Sequence, residues 1–122
     1  MTTMDVGKKL VELCKQGKND EAIEALYSPD IISVEAGAPP GQDATSRGID
    51  AVRGKSKWWS ESHVVHSSSV DGPYPHGDRF IVKFVYDITF KPQDRRFTMQ
   101  EMALYTVTDG KIAKEEFFYT MG

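Results

Sequence analysis

The chain's 122 residues, 39% hydrophobic and 27% charged, suffice for one domain with a real core, spanning 1–122, and are too few for two. A net charge of −3, with acids and bases interspersed, argues against a nucleic-acid or anionic-membrane partner and for a small neutral or amphipathic one. No apolar run approaches the roughly 20 residues that cross a bilayer, Met1–Asp5 does not open like a signal peptide, and the single Cys14 cannot close an internal disulfide. These features together predict a cytoplasmic protein.

Val6, Leu10, Leu13 and Cys14 recur at helical spacing and stop at Gln16-Gly17, where Gly17 can take the left-handed cap conformation. A second helix, capped by Asn19 or Asp20, carries Ala22, Ile23, Leu26 and Tyr27 and is expected to end at Pro29. Ile31–Ala36 reads as a short strand with Ile32, Val34 and Ala36 as its apolar set, and Gly37–Ser46 as an irregular loop. Ile49, Val52, Trp58 and Trp59 predict a third helix interrupted by Gly54. His63–Asp71 then reads as a strand and Gly72–Gly77 as a wide turn.

The last third predicts three long strands, Arg79–Lys91, Arg96–Thr108 and Lys111–Thr120, joined by Pro92–Arg95 and by Asp109-Gly110. Thirteen residues at about 3.3 Å each give a strand of ~43 Å, whereas a domain of this size has a radius of gyration near ~14 Å. Such strands must bend, and a bent sheet has a concave face that helices fill only in part. A four-residue turn at 92–95 sets Tyr86 opposite Glu101 and groups Phe80, Val82, Phe84 and Tyr86 with Glu101, Ala103, Tyr105 and Val107 on the inner face. Asp109-Gly110 is the dipeptide of a two-residue hairpin turn. It opposes Thr108 to Lys111 and Ala103 to Glu116, turns Lys114 inward, and builds an outer apolar patch from Val85, Met102, Leu104, Phe117 and Tyr119. A bulge in that hairpin would reverse every residue after it. The patch predicts a two-fold homodimer.

The order helix, helix, short strand, helix and four strands resembles the nuclear transport factor 2-like superfamily, particularly its SnoaL-like branch. The likeness rests on residues 22–30 (AIEALYSPD), Gly48-Ile49-Asp50-Ala51-Val52, Asp78-Arg79-Phe80, Asp109-Gly110-Lys111-Ile112 and Phe117-Phe118-Tyr119. It implies an α+β fold, a curved antiparallel sheet wrapped around amino-terminal helices as a cystatin-like cone with an internal pocket, and usually a homodimer. The superfamily includes ketosteroid isomerases, polyketide cyclases, epoxide hydrolases, dehydratases and members without enzymatic role, so the fold alone does not choose an activity. Matched from Asp30, the isomerases' catalytic acid falls on Glu35, and their central-strand acid falls near Ala103, two residues from Glu101. Helix one has no tyrosine to match their other oxyanion donor.

Glu35, Glu101 and His66 are therefore the expected catalytic groups. Glu35 is a carboxylate whose basicity rises on burial, Glu101 an inward acid that needs a donor such as Tyr86, and His66 shares parity with Val64 and Val70. Tyr86, Tyr105, Phe84, Trp58 and Trp59 are expected to line the ligand site, with Glu116 as a second acid near Glu101. His63 and His66, three apart on a strand, face opposite sides, and neither metal nor other cofactor is expected. Two readings stay open. One is a cofactor-independent isomerase, cyclase or dehydratase acting on an apolar or carbonyl-containing molecule; the other is a noncatalytic ligand-binding or protein-interaction homodimer.

Overall fold

The computed structural model describes residues 1–120. Helix α1 (Thr3–Lys15) opens on a reciprocal cap, in which the Thr2 hydroxyl accepts from the Asp5 backbone and the Asp5 carboxylate from the Thr2 backbone. It buries Val6, Leu10, Val11, Leu13 and Cys14 and closes at Gly17, φ +72°. Helix α2 (Asn19–Leu26) follows without a side-chain cap, and its chain does not wait for Pro29 to leave the helix. Strand β1 (Tyr27–Val34) begins at Tyr27 and carries Pro29 within it, where the ladder to its neighbour is irregular between Tyr27 and Ile32.

The loop expected over Gly37–Ser46 ends in a short strand, β2 (Thr45–Arg47), paired with β1. Helix α3 (Ile49–Ser62) continues through Gly54 without a break. Strand β3 (His63–His76) is longer than expected because Gly72-Pro73 lies inside it. The Gly72–Pro73 peptide is cis, the ladder to β4 slips between Asp71 and Tyr74, and the turn proper is Gly77-Asp78. Gly72 sits at φ +143°, and a Cβ there would lie 2.9 Å from the Ile81 carbonyl oxygen, so close backbone approach explains the glycine.

Strands β4 (Arg79–Phe90), β5 (Arg95–Thr108) and β6 (Lys111–Phe118) complete a six-stranded sheet of order β2-β1-β6-β5-β4-β3. The expectation of an antiparallel sheet needs one amendment: β1 lies parallel to β6, so the sheet is mixed. It is curved and unclosed, and the helices pack on its inner face, α1 against β3 and β4 and α3 against β1. The core formed there includes Val6, Leu10, Leu26, Ile31, Phe80, Val82 and Ile112. No helix among the described residues is long and apolar enough to cross a membrane.

Two register details decide where the chemistry-bearing residues point. The β4–β5 turn is Lys91–Asp94, with Asp94 left-handed at φ +48°, so Phe84 rather than Tyr86 lies opposite Glu101. A shift of two preserves parity, and the two inner-face sets expected for these strands stay inside. In the β5–β6 hairpin Thr108 does oppose Lys111, but the ladder slips between Thr106 and Val107. That bulge reverses the remainder of β6: Glu116 now opposes Leu104 and Lys114 opposes Thr106 on the outer face, while Glu115 opposes Tyr105 and Phe117 opposes Ala103 inside. The outer patch accordingly loses Phe117 and Tyr119 and gains Phe118, which is 53% exposed beside Met102 at 40%.

Candidate functional site

The inner face of the sheet gathers three carboxylates, a lysine and several tyrosines, each delivered by the parity of its strand. On β1 the inward set is Ile31, Ser33 and Glu35, opposite to the parity that Ile32, Val34 and Ala36 suggest. Ile31 and Ser33 are fully buried, whereas Ile32 and Val34 are not. Ser33 pairs with Glu115 across the parallel ladder, and Glu115 with Tyr105 across the antiparallel one, so one row of the sheet carries a hydroxyl, a carboxylate and a phenol. Lys55 enters from α3: its Nζ donates to Ser33 Oγ and, at 2.7 Å, to Glu35 Oε1.

Each of the three carboxylates has a different environment. Glu35 has both oxygens occupied, Oε1 by Lys55 and Oε2 by the Tyr119 hydroxyl at 2.9 Å. Glu115, 3% exposed, accepts the Tyr27 hydroxyl at 2.9 and 3.1 Å on its two oxygens, with the Tyr105 hydroxyl beside that of Tyr27. Burial lifts the Glu115 pKa to about 7, against the lowering pull of Lys55 and Tyr27. Glu101 is half-buried among Phe84, Ala103 and Tyr105. Among the described residues no side chain donates it a hydrogen bond, and Tyr86, one pair further along, lies beside Asn19 instead. Burial, then the neighbouring charges of Glu35 and Glu115, raise its pKa to about 7, with Lys55 opposing them. Burial likewise pushes the Tyr27, Tyr86 and Tyr105 phenols up, and the Cys14 thiol to about 12, which makes that thiol inert.

Aromatic rings wall this cluster. Phe84 and Tyr86 stack at 5.9 Å, Trp59 leans on Tyr86 at 5.5 Å, and Lys55 Nζ stands 5.2 Å from the centre of the Phe117 ring. Trp58 is 55% exposed and packs at the rim against His63 and Phe90. An open groove of about 550 Å³ runs along the ends of β1 and β6, lined by Val34, Glu35, Ala36, Glu116, Phe117, Phe118, Tyr119 and Thr120; of the inner charged groups it reaches Glu35, and not Glu101, Lys55 or Glu115.

His66 does not join the cluster. The β3–β4 ladder slips between Val65 and Ser67, and this bulge turns His66 to the outer face, where it is exposed and its Nε2 meets the Thr89 hydroxyl at 2.7 Å. The inward histidine is His63, stacked on Trp59 at 4.4 Å with its Nδ1 against the Trp59 carbonyl. Glu116 leaves the inner cluster for the same kind of reason and pairs outside with Lys114 at 3.1 Å, although it still borders the open groove. Sequence reading missed Glu115, Lys55, Tyr27 and Tyr119. The run Lys114-Glu115-Glu116 places an acid on either face whatever the register, and that was the available signal for Glu115; nothing in the local pattern of α3 distinguishes Lys55 from a solvated lysine.

The SnoaL-like domain model matches residues 1–119. A solved structure from Mesorhizobium loti, provisionally named a SnoaL-like polyketide cyclase and a carbohydrate phosphatase, is 47% identical over 98% of this chain and 100% of its own, with a TM-score of 0.92. A cystatin-like protein of unknown function from Xanthomonas campestris (19% identity, 99% and 92% coverage, TM-score 0.78) and a provisionally named isomerase from Bacillus subtilis (15%, 98% and 90%, 0.79) share the fold. No curated protein matches the chain. With nearly its whole length matched, and an α+β architecture in common with these neighbours, the chain belongs to the SnoaL-like family of the nuclear transport factor 2-like superfamily.

Proposed function

We propose that the inner cluster transfers protons on a small apolar, carbonyl-containing molecule, in an isomerase, cyclase or dehydratase reaction that needs no cofactor. Glu101 is the acid/base. The observation that carries this reading is the contrast among the carboxylates: Glu35 and Glu115 are committed to internal donors, whereas Glu101 reaches water, has no side-chain donor among the described residues, and holds its proton with a pKa of about 7. A base poised near neutrality balances having the right protonation state against driving force for transfer. The partly exposed Tyr86, Trp59 and Phe117 give an apolar body flat surfaces to lie on.

The test is exchange of α-protons for deuterium, followed by NMR, in a series of cyclic β,γ-unsaturated ketones in D₂O. Glu101→Gln keeps the shape and removes the base, and is expected to lower the rate by roughly 10²–10⁴-fold. Undiminished exchange in that variant overturns the assignment, and a wild type no faster than buffer favours a site that only orients a guest.

We further infer a homodimer through the outer sheet face. Val85, Met102, Leu104 and Phe118 make an apolar strip there, flanked by the Lys114–Glu116 and Arg96–Asp87 pairs, and a second copy buries such a strip against itself. The free, buried Cys14 fits a reducing cytoplasm.

A further inference from the structure

We propose that Lys55 is the oxyanion-binding residue of this site, and that its substrates are enolisable carbonyl compounds whose oxygen is seated on the Lys55 ammonium while the adjacent carbon faces Glu101. The inference rests on the proton-transfer reading above and names its missing half.

An enolate cannot form at an apolar wall without a donor where charge develops. Helix α1 supplies no tyrosine. The inward phenols whose bonds are defined are already spent, Tyr119 on Glu35 and Tyr27 on Glu115. An ammonium has three donors and no acceptor. Lys55 gives one to Ser33 Oγ and one to Glu35 Oε1, and among the described residues the third has no acceptor. The head is fixed from three sides, by Ser33 on β1, by Glu35 two residues on, and by the Phe117 ring beneath it, so it costs little reorganisation when charge appears beside it. Its ammonium stands over the Phe117 ring, Phe117 opposes Ala103, and Glu101 is the next inward residue along β5, so the two charges share this end of the inner face without being hydrogen-bonded to each other. A carbonyl oxygen and its α-carbon are the two atoms that would complete such an arrangement.

The step balances within the substrate and the protein. Glu101 removes the α-proton, the C–H electron pair becomes the C=C bond of the enolate, and the C=O π pair moves to the oxygen held by Lys55. Return of the proton from Glu101 to the γ-carbon of a β,γ-unsaturated ketone re-forms the carbonyl and gives the conjugated isomer, with nothing oxidised or reduced.

A phenolate mimics the enolate without reacting. In a titration of p-nitrophenol with the protein, followed by phenolate absorbance, the wild type is expected to lower the bound phenol's apparent pKa by about one unit. Lys55→Arg should keep most of that shift. Lys55→Gln, and the double variant Lys55→Gln/Glu35→Gln that leaves no unpaired charge, should lose it together with about tenfold in phenolate affinity, while circular dichroism stays native. A folded Lys55→Gln that binds phenolate as tightly as wild type overturns the assignment. If that happens while deuterium exchange still depends on Glu101, the proton-transfer reading stands alone. Lys55-dependent phenolate binding without Glu101-dependent exchange leaves the oxyanion site standing and removes the base.

Discussion

Replacing Glu101 by Gln should stabilise the protein at high pH and leave it nearly unchanged at low pH. In the folded chain the carboxyl's pKa is about 7 against its ordinary value of 4.5, and burial is the first cause, so folding favours the protonated form. The favourable contribution is fully present below pH 4.5 and is lost as pH rises through 7, because the unfolded chain gives up its proton earlier. A difference of about 2.5 units corresponds to roughly 3 kcal/mol, and water's access to a half-buried carboxylate trims this to about 2. Glutamine keeps the volume and cannot ionise, so Glu101→Gln should exceed wild type by ~2 kcal/mol at pH 8.5 and match it at pH 4. At several degrees per kcal/mol for a domain of this size, Tm at pH 8.5 should rise by roughly 6–10 °C. Urea denaturation at the two pH values gives the free energies directly. A variant equal to or less stable than wild type at pH 8.5 would show that Glu101 is solvated and titrates normally, and the acid/base reading would lose its foundation.

Tyr27→Phe removes both hydrogen bonds to the buried Glu115; it should cost about 1–3 kcal/mol in urea unfolding at pH 8 and drive the Glu115 pKa above 7 in a carboxyl-¹³C titration. Gly72→Ala places a Cβ 2.9 Å from the Ile81 carbonyl oxygen at a positive φ, and should lower stability by about 1–3 kcal/mol. His66→Ala, a change on the outer face, should leave deuterium exchange within about twofold of wild type; a hundredfold loss would return that histidine to the chemistry. Met102→Glu should convert a sedimenting dimer to monomer, and an unchanged mass would remove the outer strip as an interface.

Patterns with short range survived folding, and those that depended on counting along a strand did not always do so. Helix α1 was readable because an apolar stripe and a terminal glycine agree within a short stretch of chain, and the Thr2–Asp5 cap seen in the fold is equally local. The inner faces of β4 and β5 were readable because a misplaced turn moved the register by two, which leaves every side chain on its own side of the sheet. One-residue events were not readable. The bulge in β6 exchanged Glu116 for Glu115, and the bulge in β3 sent His66 outward, since a single extra residue inverts parity and the sequence around Ala113 or His66 carries no glycine to announce it. On β1 the misreading had a different origin: the buried row there is polar, and Ser33 and Glu35 are kept inside by Lys55 from a distant helix, a partner that no local window contains.

That distant lysine also explains how three acids can share one concave face without expelling one another. Like charges this close cannot all ionise cheaply, and the fold assigns them different partners rather than one shared site. Glu35 has an ammonium and a phenol, Glu115 a doubly placed phenol deep in the core, and Glu101 only aromatic walls and the repulsion of the other two. The first two commitments make the third reactive: Glu35 and Glu115 are the charges that help lift the Glu101 pKa toward neutrality, while Lys55 keeps the lift from going further. Neutralising either committed acid should therefore lower the pKa of the uncommitted one. In a Glu115→Gln variant the Glu101 carboxyl carbon should titrate below its wild-type midpoint of about 7 while remaining above the ordinary value of 4.5, because burial, the largest cause, is untouched. A midpoint that does not move would mean that burial alone sets it, and that Glu115 serves the core and not the site.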